Sequence, residues 1–125
     1  MAGDQKKIIA VDDNTENLIA LKNSLKEFYI VFPTPSAQGL FKLLEHVRPD
    51  LILLDVEMPG MNGYEAIKQL KSSDKNREIP VIFLTGMDDE QSEKEGLQLG
   101  AVDYIHKPFV TTILIERIKT HLRSS

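Results

Sequence analysis

The sequence predicts an α/β protein: a parallel sheet of five strands interleaved with five helices. Three observations carry that prediction. Short apolar runs alternate with segments of helical period along the whole chain. Three of the runs are unbroken rather than alternating, as expected of strands covered on both faces. Strand and helix take turns in strict order, and such alternation builds a parallel sheet through right-handed crossovers.

The first strand is Ile8-Ile9-Ala10-Val11, ended by Asp12-Asp13-Asn14. Leu18, Leu21, Leu25 and Phe28 then recur at helical spacing, with Asn14 or Thr15 as the cap. Tyr29-Ile30-Val31-Phe32 is a second strand, stopped by Pro33 and Pro35. Ser36 opens a helix with Leu40, Leu43, Leu44 and Val47 on one face, and Arg48-Pro49-Asp50 breaks it. Leu51-Ile52-Leu53-Leu54 is the third strand, closed by Asp55. Pro59-Gly60-Met61-Asn62-Gly63 has the chemistry of a loop, and Tyr64, Ile67 and Leu70 mark the third helix. Pro80-Val81-Ile82-Phe83-Leu84 is the fourth strand, followed by Thr85-Gly86. A thinly apolar helix over Asp88–Leu99 ends at Gly100. Val102-Asp103-Tyr104-Ile105 is the fifth strand, and Ile115, Ile118 and Leu122 mark the last helix.

A chain of 125 residues carries one sizeable core, so a single domain is expected over residues 6–122, with tails at 1–5 and 123–125. The net charge of -4 argues against direct contact with nucleic acid or an anionic membrane, both of which select basic surfaces. The absence of cysteine excludes disulfides, thiolate metal sites and cysteine nucleophiles. No apolar run approaches the roughly 20 residues that span a bilayer, and the first residues lack the apolar stretch of a secretory leader. The expected compartment is the cytoplasm.

The polar groups with chemical potential follow the strands. Asp12 and Asp13 follow the first, Asp55 the third, Thr85 the fourth and Lys107 the fifth. The carboxyl ends of parallel strands share one rim, where sheets of this class bind ligands. Three carboxylates gathered there repel one another, and burial worsens the repulsion. A bound cation relieves both, and an all-oxygen donor set without His or Cys suits a hard ion such as Mg²⁺ beside a phosphate. Lys107 adds a mobile positive charge and Thr85 a hydroxyl, the equipment for stabilising a phosphoryl group in transfer. Asp55 sits centrally, where a carboxylate nucleophile can become an aspartyl-phosphate.

Four stretches occur in order: Val11-Asp12-Asp13-Asn14; Leu51 through Gly63; Pro80 through Gly86; and Gly100 through Phe109. Together they resemble the receiver (response-regulator) domain of two-component signalling. The resemblance implies a flavodoxin-like, doubly wound sheet in the order 2-1-3-4-5. It implies that Asp55 accepts the phosphoryl group, from a phosphohistidine of a sensor histidine kinase or a phosphotransfer protein. It also implies that Asp13 binds Mg²⁺ directly, Asp12 through water, and Glu57 through its backbone carbonyl. Thr85 matches the switch hydroxyl, Lys107 the phosphate-binding lysine, and Tyr104 the aromatic switch. The Lys107-Pro108 peptide is expected to be cis. Phosphorylation is expected to change the surface of the fourth helix, fifth strand and fifth helix, facing an output domain or protein. A phosphorylation-dependent homodimer is among the forms the resemblance allows. The implied chemistry is self-catalysed phosphotransfer and slow autodephosphorylation, without the multiple turnover of an enzyme.

Each residue also has a plain structural reading. Asp12-Asp13 can cap the next helix, Thr85 can satisfy a turn, Tyr104 can be core, and Glu57 and Met87 can be solvated loop side chains. None of His46, His106 and His121 has metal-ligand spacing; His46 and His121 fall near helix ends, and His106 is expected to point away from Lys107. The competing functions are a Mg²⁺-dependent aspartyl phosphatase with Glu57 as general acid, a flavin-binding module, and a non-phosphorylated adaptor.

Overall fold

The computed structural model describes residues 5–123. Five strands, β1 (Lys7–Val11), β2 (Ile30–Thr34), β3 (Leu51–Leu54), β4 (Val81–Thr85) and β5 (Asp103–His106), alternate with five helices. The helices are α1 (Thr15–Leu25), α2 (Ala37–Leu44), α3 (Gly63–Lys71), α4 (Glu90–Gln98) and α5 (Thr111–Arg123). Every strand pairing is parallel, and the sheet runs β2-β1-β3-β4-β5. This is the doubly wound order expected. Among the described residues no helix is long and apolar enough to cross a membrane. Residues 1–4 and 124–125, most of the expected tails, lie outside the described residues, and Arg123 closes α5.

The unbroken apolar runs have the predicted cause. All of β3 and β4 is buried, because side chains that alternate across the sheet meet a helical layer on either face. Ile9, Val11, Ile52, Leu54, Val81 and Phe83 pack with α2 and α3, through Leu40, Leu44, Ala66, Ile67 and Leu70. Ile8, Ala10, Leu51, Leu53, Ile82 and Leu84 pack on the other face with Leu18, Leu21 and Leu25 of α1 and Leu114 and Ile118 of α5. Burying one such side chain is worth about 1.5–3 kcal/mol, and the parallel pairing brings the carboxyl ends of the strands to one rim.

Several local expectations are corrected. Pro33 does not stop β2: it lies inside the strand, paired with Ala10. β2 is an edge strand, and an edge tolerates a residue without an N–H to donate. Phe28 does not join the core face of α1. The helix ends at Leu25, and Phe28 is exposed under the ammonium of Lys119, 5.8 Å from its ring centroid. Val47 falls beyond α2, which ends at Leu44. Thr85 is the last residue of β4 rather than the first after it, and β5 runs one residue past Ile105 to His106.

Helix α4 begins at Glu90 on an Asp89 cap, and its buried residues are Ser92 and Gly96. Its apolar face is thin because small residues make the contact. A Cβ built on Gly96 would lie 3.0 Å from the Phe83 ring and 3.2 Å from that of Tyr104. The helix therefore lies close on those rings without a large side chain of its own.

Candidate functional site

The main-chain ladder of the sheet continues one step beyond three strands and carries the site. The Asp12 N–H donates to the Thr34 carbonyl (3.2 Å), the Asp55 N–H to the Val11 carbonyl (3.0 Å) and the Lys107 N–H to the Thr85 carbonyl (2.8 Å). Asp55 follows β3, which lies between β1 and β4 and so takes the middle of the rim. Gly63 at the start of α3 packs directly behind it. A Cβ there would sit 2.2 Å from the Asp55 carbonyl oxygen, so only glycine lets the helix approach this closely.

Asp12, Asp13 and Asp55 converge: one oxygen from each lies within 4.8 Å of the others. Asp12 and Asp55 are buried and Asp13 is exposed. Lys107 reaches across from β5, its Nζ 2.5 Å from Asp12 Oδ2 and 3.2 Å from Asp55 Oδ2. The Lys107-Pro108 peptide is cis, as expected. Asp12 is further held by the Asn14 N–H (2.9 Å) and the Asn17 side-chain amide (3.3 Å). Asn17 was not among the residues picked from sequence. Its place in the first turn of α1, facing the strand end, was the signal for it.

Burial pushes the Asp55 carboxyl above its ordinary range, against the opposing pull of Lys107 and of the Thr85 hydroxyl; the charge of Asp12 adds to the rise. Burial also works against the Lys107 ammonium, but its hydrogen bond to Asp12 and the charges of Asp55 and Asp12 more than offset this, and its pKa is raised. The ammonium is thus held charged, while the Asp55 carboxylate is left poorly solvated. With all three carboxylates ionised, one ammonium leaves an excess of two negative charges. Oxygen donors in close convergence, one of them open to solvent, fit a small divalent cation.

The remaining picks lie around this cluster. Thr85 is fully buried, and its Oγ1 accepts from the Met87 N–H at 3.3 Å, so the hydroxyl proton stays available to another acceptor. Glu57 points its side chain to solvent, and its N–H lies 3.4 Å from Asp55 Oδ1. Asp13, Glu57, Met58, Asn62, Tyr64 and Met87 line a cavity of about 530 Å³ at the rim. Tyr104 is buried, its ring 5.9 Å from Phe83 and its hydroxyl donating to the Met87 carbonyl at 3.2 Å. Burial also pushes its phenol well above the ordinary range.

The histidines divide. His46 lies past α2, exposed. His121 meets Asp103 (3.1 Å). His106 points away from the carboxylates, toward the Met87 carbonyl and Glu93.

The family model for the response regulator receiver domain matches residues 8–119. The chain belongs to this family. The receiver is 39% identical over 120 residues to a Vibrio cholerae protein described as a probable cyclic di-GMP phosphodiesterase, covering 96% of this chain and 27% of that protein. The chain therefore spans only about a quarter of that relative's length. Among solved structures it is similar to the signal receiver domain of a signal transduction histidine kinase from Syntrophus aciditrophicus, with TM-score 0.87 and 34% identity over 95% of this chain and 91% of that one. A response regulator receiver domain protein from Methanospirillum hungatei superimposes with TM-score 0.89 and 30% identity, over 97% and 96% of the two chains.

Proposed function

We propose that the receiver, taken as residues 6–122, accepts a phosphoryl group on Asp55 from a phosphohistidine of a sensor kinase or phosphotransfer protein in the cytoplasm. One observation carries the reading: Asp55 stands at the centre of the rim with Asp12, Asp13 and Lys107 gathered around it.

An Asp55 carboxylate oxygen attacks phosphorus. An O–P bond forms as the donor's N–P bond breaks, and the electron pair leaves with the donor imidazole nitrogen. Lys107 turns its ammonium from the carboxylates toward a phosphoryl oxygen, and Thr85 donates its hydroxyl proton to another. Asp12, held by Asn14 and Asn17, and Asp13 would hold Mg²⁺ with Asp55 and the Glu57 carbonyl. Bound there, the ion supplies neutralisation of charge on the phosphoryl oxygens.

Thr85 is bonded to the loop that precedes α4, so a hydroxyl drawn to the phosphoryl group disturbs that loop and the packing of Tyr104 beneath it. We assign the output surface to α4, β5 and α5, shifting between two packings already accessible to the fold. The 39% identity to the Vibrio cholerae protein supports cyclic di-GMP turnover as a process such a receiver governs. The phosphatase reading has less support, because the Glu57 side chain faces solvent and its N–H, not its carboxylate, meets Asp55.

Incubation with acetyl phosphate and Mg²⁺, followed by intact mass, tests this function. One added phosphoryl group is expected in the wild type and none in Asp55→Asn or without the ion. Equal labelling of Asp55→Asn contradicts the assignment.

A further inference from the structure

We propose that His106 is a positioning residue of the switch, carrying movement of Thr85 through the backbone of Met87 to α4. This rests on the phosphoryl-accepting function proposed above and adds a residue to it.

The Met87 backbone is held at both of its polar groups. Its N–H donates to Thr85 Oγ1 at 3.3 Å. Its carbonyl accepts from the Tyr104 hydroxyl at 3.2 Å and from His106 Nδ1 at 3.1 Å. The other nitrogen, His106 Nε2, lies 3.1 Å from Oε1 of Glu93, in the first turn of α4. The ring also stands edge-on to Tyr104, with centroids 5.3 Å apart. One imidazole thus touches the strand end, the loop behind Thr85 and the helix.

Carbonyl and carboxylate oxygens only accept, so both contacts are hydrogen bonds when both ring nitrogens carry protons. The side chains of His106 and Glu93 are 40% and 43% exposed, which makes this contact a poor device for holding the core. A contact so exposed biases an equilibrium by about twofold to fivefold, enough to couple a loop to a helix and too little to decide folding. Alternation along the strand sends Lys107, the next residue, to the carboxylates. The end of β5 therefore meets the phosphoryl site with one side chain and α4 with the next.

The test is the amide NMR spectrum on addition of beryllofluoride and Mg²⁺. Wild type is compared with His106→Asn, whose amide can replace Nδ1, with His106→Gln, whose amide can replace Nε2, and with Glu93→Gln. In wild type, the amides of Thr85–Met87 and of α4 shift together. In each variant the Thr85–Met87 response is expected to persist while the ratio of shifted to unshifted α4 falls about twofold to fivefold. An α4 response equal to that of wild type in all variants that melt cooperatively overturns the relay and leaves the phosphoryl site intact. A wild-type protein silent at Thr85–Met87 overturns the underlying function, and the relay with it.

Discussion

The Lys107 ammonium lies 3.2 Å from Asp55 Oδ2 although the two residues are 52 positions apart and leave different strands. It also holds Asp12, so one cation serves two buried carboxylates. Lys107→Ala removes the charge proposed to meet the phosphoryl oxygens. Labelling by acetyl phosphate, followed as a time course by intact mass, is expected to slow about a hundredfold or more.

Asp13 contributes an exposed carboxylate to the cluster and makes none of the buried contacts of Asp12 and Asp55. Asp13→Asn is expected to change the stability of the metal-free protein by less than about 0.5 kcal/mol. Added Mg²⁺ should raise the melting temperature of the wild type, because a ligand of the native state stabilises it, and should raise that of the variant far less. Thermal melts with and without the ion, and after chelation, measure both.

Burial alone would raise the Asp103 carboxyl, but the Tyr104 N–H, Arg117 and His121 overcome it and hold the group below its ordinary range. The Arg117 guanidinium meets both oxygens, at 2.8 and 3.0 Å. A depressed carboxyl stabilises the fold above its unfolded pKa, and that stability is lost as pH falls through the folded value. The stability gap between wild type and Asp103→Asn is therefore expected to be widest near neutrality and to close in acid. Denaturant titrations at a series of pH values check this.

Much of the fold and site was legible because the pattern and the chemistry coincide. The solid apolar runs Leu51–Leu54 and Val81–Leu84 announce strands covered on both faces, and the polar residue after each marks the rim. What stayed hidden depends on sequence-distant neighbours. Pro33 reads as a stop until its strand is known to lie at the sheet's edge. Phe28 continues the spacing of α1, yet the helix ends three residues earlier and the ring is exposed beside the Lys119 ammonium. Only the fold brings His106 to Met87 and Glu93.

Gly63 is a loop glycine by sequence and a packing constraint by structure. A methyl group there meets the Asp55 carbonyl oxygen at 2.2 Å and the Val56 Cα at 2.9 Å, both backbone atoms that cannot swing aside. Gly63→Ala is expected to cost about 1–3 kcal/mol by denaturant titration. Labelling should fall with it, because the displaced backbone carries Asp55.

On the proposed function the Asp55 carboxylate itself becomes the acyl phosphate. Reduction of the acetyl phosphate-treated protein with borohydride, followed by peptide mapping, reads the acceptor directly, since an aspartyl-phosphate is converted to homoserine. Homoserine at position 55 is the predicted result. Homoserine at position 12 or 13 instead, or at no position in a protein that has gained the phosphoryl mass, contradicts the account.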